Sequence, residues 1–364
     1  MDVFEALGIK PYINAHDTYT VYGGSRMSAQ TLAAMAEISA RFVDFAQLQR
    51  VVGESIAKMT RNEAAFVTNG AAGAMQLAAA VCMSSGDAYR YMRLPQTDGR
   101  NRFVVIHAQH NAYDKAIAAA GGERVLVGDA DETLEEELRG VIGPDTAAVL
   151  YFVNKRCERA SMPLENVIRI AHERDVPVIV DAAAQLPPVE NLWTFTAMGA
   201  DMVIFSGGKT LCGPQDSGLI VGKEALIQDC HRFGAPAHGV CRGCKTSREA
   251  VVGLWSALCQ YLAMDHEEND RRMMAINRRI QAMVKGTDCV TRIVSYGPVG
   301  QAYPRLFMDV HSPKRAALIA DRMREQGIYI GCDEMDGAVY VSPLNLSMDE
   351  ADAVGKALVS CLMG

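Results

Sequence analysis

Asp201-Met202-Val203-Ile204-Phe205-Ser206-Gly207-Gly208-Lys209 is an apolar run that ends in a hydroxyl and two glycines and then delivers a single lysine. The stretch 202–205 reads as a strand buried on both faces. Lys209 therefore emerges at a strand end, where open α/β sheets place their ligands. Gly207 and Gly208 leave the room beside it that a flat molecule needs. Upstream, Val176-Pro177-Val178-Ile179-Val180-Asp181 is a second such strand, ending in a carboxylate. A lysine and an aspartate at neighbouring strand ends suit pyridoxal phosphate, the lysine forming a Schiff base and the aspartate pairing with the pyridinium nitrogen. The same residues also suit a phosphate-site lysine or a core ion pair, and this window alone does not separate the three.

A third segment favours the cofactor. Thr68-Asn69-Gly70-Ala71-Ala72-Gly73 follows the short apolar run 64–67 and opens a helical pattern over 71–83. Free backbone N–H groups at a helix start, flanked by small residues, form a phosphate cradle. Asn69, Gly70, Ala71 and Ala72 are its candidates, although such turns also use glycine for steric reasons alone.

Around these segments, strand-like runs (103–107, 147–153, 176–181, 201–206, 219–221) alternate with helical patterns (111–120, 134–141, 164–174). That alternation implies a mainly parallel sheet wrapped by helices. A charged helical stretch over about 247–285 leads to a strand-helix-strand-helix segment, 289–364, whose helices cover 313–326 and 347–362. At 364 residues the chain can hold a large and a smaller domain. The formal net charge of -7, with no long Lys/Arg run, argues against nucleic acid as a partner. No apolar stretch suggests a membrane span, and Met1-Asp2-Val3-Phe4-Glu5 lacks the plan of a signal peptide. Ten scattered cysteines imply reduced thiols and a cytoplasmic location. Cys241-Arg242-Gly243-Cys244 has the spacing of a metal or redox pair, but no second pair completes a four-ligand site, so no metal is expected.

Taken together, the segments resemble the selenocysteine-synthase-like branch of the fold-type I pyridoxal phosphate enzymes, which includes L-seryl-tRNA selenium transferases and D-glucosaminate-6-phosphate ammonia-lyases. The resemblance is carried, in order along nearly the whole chain, by Ile13-Asn14-Ala15-His16-Asp17-Thr18-Tyr19-Thr20, Gly23-Gly24-Ser25-Arg26-Met27, Thr68 to Ala72, His110-Asn111-Ala112-Tyr113-Asp114, Asp181-Ala182-Ala183-Ala184-Gln185-Leu186-Pro187-Pro188, Ser206 to Thr210 with Gly213-Pro214-Gln215-Asp216-Ser217-Gly218, and Arg242-Gly243-Cys244-Lys245. The resemblance implies an α/β, aspartate aminotransferase-like fold: a mainly parallel seven-stranded sheet in the large domain plus a small C-terminal α/β domain. It divides the chain into an N-terminal arm contributing to the active site (1–25), a large cofactor-binding domain (26–246), and a linker helix with the small domain (247–364). A homodimer or higher homo-oligomer is implied as well.

By the same resemblance Lys209 carries the cofactor, Asp181 pairs with its ring nitrogen and His110 lies over the ring, unless it merely flanks a helix start. Ser206 touches the phosphate or merely ends its strand, and Gln185 contacts the ring oxygen or caps its loop. Arg242 and Lys245 present cations near the cofactor. His16 and Asp17 depart from the small residues usual in the N-terminal segment and are candidates to set substrate choice or supply an acid, or else pair with each other at the surface; Arg26, Arg242 and Arg305 are candidate carboxylate binders. The expected reaction is removal of the Cα proton by Lys209 followed by β-elimination, giving a 2-oxo acid and ammonia from an amino acid or amino sugar acid. Racemase, aldolase and C-S lyase chemistry are alternatives. Selenium transfer fits less well, since a basic surface for tRNA is missing. A catalytically silent homologue is the reading from another class, disfavoured by the intact Lys209 and Asp181.

Overall fold

Residues 2–297, 299–333 and 335–363 are described by a computed structural model. The run that opens on Met202 forms the strand Met202–Ser206, flanked by Val178–Asp181 in parallel and Gly218–Gly222 antiparallel. Its neighbours complete a seven-stranded sheet in the order Ala64–Thr68, Gly218–Gly222, Met202–Ser206, Val178–Asp181, Thr146–Phe152, Arg102–Ile106, Glu123–Val127. Only Gly218–Gly222 runs against its neighbours. The remaining six strands all point the same way, so Thr68, Asp181 and Ser206 finish on one edge of the sheet.

Both faces of the sheet are buried, and the alternation of side chains divides the core between them. Val203 and Phe205 join Val178, Val180, Val149 and Val104 on one side. Met202 and Ile204 join Ile179, Leu150 and Val105 on the other. The second face is covered by the alanine-rich helix Gly70–Ser84, eleven of whose 15 residues are buried. Small side chains let this helix lie close to the sheet, which sets its N-terminus at the strand edge carrying Asp181 and Ser206.

The chain divides into two units: Met27–Leu262 with Pro298–Gly300, and Met1–Arg26 with Ala263–Gly297 and Gln301–Gly364. These limits differ from the expected 25/26 and 246/247. The helix Arg248–Ala263 goes with the larger unit because Val251, Leu254 and Leu258 share the core of Val203 and Phe205. The first residues go with the smaller unit because Ile13–Ala15 pairs in parallel with the strand Ile328–Asp333. In that unit the sheet order is Ile13–Ala15, Ile328–Asp333, Ala338–Val341, Arg305–Asp309, Val290–Val294.

Four local features differ from the sequence reading. Glu123–Val127 is an edge strand whose first two residues are exposed charges, which hides its pattern. The helix expected over 111–120 starts as a 3-10 turn, Ala112–Asp114, before Lys115–Ala120. The expected 247–285 helix is two, Arg248–Ala263 and His266–Met283, because Asp265 caps the second by accepting from the Glu268 N–H at 2.9 Å. Finally, two strands rather than one precede each helix of the C-terminal segment.

Candidate active site

Lys209 sits half-buried in the turn after Met202–Ser206. The two preceding glycines are required by the chain itself. A Cβ on Gly207 would lie 2.0 Å from Ser217 Oγ, and one on Gly208 would lie 2.6 Å from Gln215 Cα. The space expected for a ligand beside these glycines is thus filled by the returning segment 213–217. That close return rigidifies the turn: the Gly207 N–H donates to the Ser217 carbonyl at 2.9 Å and the Gly213 N–H to the Gly207 carbonyl at 2.8 Å. Thr210 Oγ1 donates to the Leu186 carbonyl at 2.8 Å, tying the lysine turn to the loop that follows Asp181.

Asp181 ends its strand in register with Ile204. Its Oδ1 accepts from the Ala183 N–H at 2.9 Å. Part of the residue remains accessible, yet the carboxyl is so enclosed that burial raises its pKa, against the Ala183 hydrogen bond and the nearby charge of Lys209, which both lower it. A carboxylate so withdrawn from water is a strong partner for a cationic ring N–H.

The third element is the start of the helix Gly70–Ser84. Asn69 is its N-cap residue but makes no capping hydrogen bond, and Asn69 Oδ1 is buried without a partner. Thr68 Oγ1 donates to the Gly70 carbonyl at 3.1 Å, while a Cβ on Gly218 would fall 2.4 Å from the Gly70 carbonyl carbon. The sheet thus holds the helix start in place and leaves its first N–H groups without a side-chain cap. An open helix N-terminus, an orphaned amide oxygen, a half-buried hydroxyl at Ser206, an enclosed carboxylate and a strand-end lysine together fit a phosphorylated, cationic, aldehyde-bearing ring.

His110 is joined to two residues that the sequence reading did not weigh. Its Nδ1 bonds to Asp114 Oδ2, and Asp114 Oδ1 accepts from Arg124 Nη1 at 2.9 Å. The Asp114 side chain is fully buried, whereas that of His110 is 43% exposed. The carboxylate fixes the imidazole in the tautomer with its proton on Nδ1 and leaves Nε2 as an acceptor. The signal was present in the four-residue spacing of His110 and Asp114, but Arg124 lies on the hidden edge strand.

Gln185 braces its loop. Its amide nitrogen donates to the carbonyls of Val153 at 2.7 Å and Val299 at 2.9 Å, using both protons. Arg242 and Lys245 are exposed and form no ion pair among the described residues. The loop bearing them is anchored by buried Cys241 and by Cys244, whose Sγ donates to Gln76 Oε1 at 3.1 Å. No cluster of three His, Cys, Asp or Glu suited to a metal occurs among the described residues.

In the smaller unit, the residues proposed for substrate contact are engaged with other groups of that unit. Arg305 is fully buried, and its Nη2 donates to Asp17 Oδ2 at 2.8 Å. Tyr303 donates its hydroxyl to Asp17 Oδ1 at 2.7 Å. Asp17 is therefore the internal counterion of Arg305, and neither offers a free charge. Arg26 grips Glu350 through two hydrogen bonds of 3.0 and 2.7 Å and also donates to the Asn345 carbonyl. His16 packs against Tyr22 with ring centroids 4.2 Å apart, and burial lowers its pKa to about 4. Burial thus favours its neutral form. Arg305→Met should leave Asp17 buried and uncompensated, lowering stability by about 3–5 kcal/mol. Urea unfolding measures this, and a loss under about 1 kcal/mol would show that the pair is dispensable.

Residues 24–240 match the model of the aminotransferase class-V family. The chain belongs to that family. Within it, a similar protein is the D-glucosaminate-6-phosphate ammonia lyase of Salmonella typhimurium (strain 14028s / SGSC 2262), 32% identical over 266 residues that cover 71% of this chain and 70% of that one. The 5'-C-glycyluridine monooxygenase-decarboxylase of a Streptomyces sp is 29% identical over 374 residues, covering 99% of this chain and 92% of that protein. Among solved structures, a D-glucosaminate-6-phosphate ammonia-lyase superposes with a TM-score of 0.86 at 26% identity, over 100% of this chain and 98% of that one. The fold is thus that of the fold-type I enzymes, as expected for a class-V aminotransferase family member.

Proposed function

We propose that this protein is a pyridoxal phosphate-dependent lyase that removes a β-substituent from an amino acid or amino sugar acid and releases a 2-oxo acid and ammonia. The observation that carries the reading is the meeting of Lys209, Asp181 and the uncapped helix start at Asn69 on one edge of the sheet. The full-length likeness to an ammonia-lyase structure supports it.

Lys209 Nζ would hold the cofactor's aldehyde carbon, the N–H groups of Gly70, Ala71 and Ala72 with the Ser206 hydroxyl its phosphate, and Asp181 its ring nitrogen. When bound, the cofactor supplies an electron sink for charge developing at the substrate's Cα. Once the substrate's amine had taken its place there, the freed Lys209 Nζ would take the Cα proton as general base and return it to the departing Cβ hydroxyl, which leaves as water. The resulting enamine hydrolyses to the 2-oxo acid and ammonia. Asp181 would keep the ring N–H charged, and the Asp114-oriented imidazole of His110 offers an acceptor at Nε2.

Purified protein loaded with the cofactor should release ammonia and 2-oxo acid in equal amounts from at least one β-hydroxy amino acid or amino sugar acid in a panel of D- and L-forms. Racemisation, aldol cleavage or sulfide release without ammonia would overturn the assignment. A second reading follows from the Streptomyces relative, whose likeness spans 99% of the chain: oxygen-dependent decarboxylation of a glycyl-type amino acid. Oxygen uptake and carbon dioxide release distinguish it from elimination.

The reading extends to a homo-oligomer in which Arg242 and Lys245 reach a neighbouring copy's phosphate. Two exposed cations that form no ion pair among the described residues support that role. Mixed Lys209→Ala and Arg242→Ala chains, each inactive alone, are expected to regain partial activity; a fully active monomer in light scattering would refute the shared site. The ten cysteines are all free thiols, which supports a reducing, cytoplasmic setting. No helix among the described residues is long and apolar enough to cross a membrane.

A further inference from the structure

The larger unit holds an open cavity of about 370 Å³ where the helix Phe45–Met59, the strand Ala64–Thr68 and the helix Glu224–Phe233 meet. Its volume is that of a small-molecule site, and neither Lys209 nor Asp181 lines it. Phe45, Phe66, Ala235 and Pro236 give it apolar walls. Phe66 is fixed by the His231 ring, which meets it edge-on with centroids 4.9 Å apart.

The polar groups of the lining are acceptors. Gln49 is 2% exposed, and its Nε2 donates to the Val67 carbonyl at 2.9 Å. Its Oε1 is buried without a hydrogen-bond partner among the described residues. A buried amide oxygen in that state calls for a donor. His231 is hydrogen-bonded to the Ala65 carbonyl and burial favours its neutral ring, so its other nitrogen accepts. Asp44 is exposed at the cavity; its Oδ1 accepts from the Gln47 N–H at 2.8 Å, and its carboxylate forms no ion pair among the described residues. Arg50 of the lining is bound to Glu54 at 2.8 Å, which cancels its charge. An anion therefore finds no available cation here, and a purely apolar molecule leaves Gln49 Oε1 unpaired. A donor-rich cation on a flat apolar body satisfies the amide oxygen, the carboxylate and the walls together.

We propose that this cavity is a binding site for an organic cation, an amidinium or ammonium carried on a flat apolar body, with Gln49 Oε1 and the Asp44 carboxylate as its hydrogen-bond acceptors.

Benzamidine, benzamide and benzoate share one shape and differ in charge and in donors, which makes them a suitable probe series. Calorimetric titration of the cofactor-loaded protein, in which the cofactor covers Asp181, should show benzamidine binding, benzamide at least about tenfold weaker and benzoate not at all, since a charge-assisted bond contributes about a factor of ten or more. Asp44→Asn keeps a side chain that caps the helix Phe45–Met59. It should weaken benzamidine by about tenfold, to the level of benzamide, and leave benzamide unchanged. Gln49→Met should weaken both; should that variant fail to fold, Asp44→Asn still decides. Absent binding of benzamidine shows that water alone serves Gln49 and overturns the proposal. Benzoate bound as tightly as benzamidine, or benzamidine binding unchanged by Asp44→Asn, overturns it as well. None of these outcomes bears on the lyase reading, which ammonia release tests separately.

Discussion

Lys209→Ala should abolish turnover, a loss of roughly 10⁴-fold or more, because the substitution removes both the group that would hold the cofactor and the general base. The fold should survive. Lys209 is half-buried in a turn whose shape is set by Gly207, Gly213 and Ser217 through their backbone groups, so the truncated side chain leaves those bonds in place. Borohydride reduction of the loaded parent followed by peptide mapping should put the pyridoxyl group on Lys209, and the variant should carry none. A pyridoxyl group mapped to another lysine would end the assignment.

Asp181→Asn should separate activity from stability. Without the carboxylate, the ring nitrogen has no anion to keep it charged, and turnover should fall on the order of 10³-fold, about 4 kcal/mol of transition-state stabilisation. The cofactor-free chain should respond in the opposite sense. Burial lifts the folded-state pKa of Asp181 above its ordinary value, so the native state favours the protonated carboxyl. Its contribution is most favourable below the unfolded pKa, near about 4, and is lost as pH rises through the folded value. As pH rises toward neutrality the buried carboxyl becomes a burden on the empty protein. The amide removes that burden while its oxygen can still accept from the Ala183 N–H. Urea titration of cofactor-free protein at pH 7 should find the variant at least as stable as the parent, the trade expected where an active site stores unfavourable charge. Near-parental turnover would sink the electron-sink argument, and a less stable empty chain would sink the electrostatic one.

What could be read without the structure was local. Lys209 and Asp181 announce themselves because a doubly buried strand is a continuous apolar run and a charge at its end stands out. The helix start at Asn69 is marked by small residues beside a strand, and the helix begins there without a side-chain cap. Partnerships across long separations leave no such trace. Asp17 and Arg305 are 288 positions apart, and nothing near either indicates that the two charges cancel inside the smaller unit. Asp114 looked like the fifth residue of a motif until Arg124, on a strand hidden by its own exposed charges, was found against it. Gly207 and Gly208 were legible as a need for space, but the occupant proved to be Ser217 and Gln215.

The parallel pairing of Ile13–Ala15 with Ile328–Asp333, sealed by the Asp17 and Arg305 pair, bears on how the chain can be dissected. A C-terminal fragment begun at Ala263 would expose the edge of Ile328–Asp333 to other chains and strand a guanidinium in an apolar interior. It should be recovered as aggregate. Supplying residues 1–26 as a separate peptide restores both the missing strand and the counterion, so the two pieces should reassemble in solution although a whole domain's length of sequence lies between them.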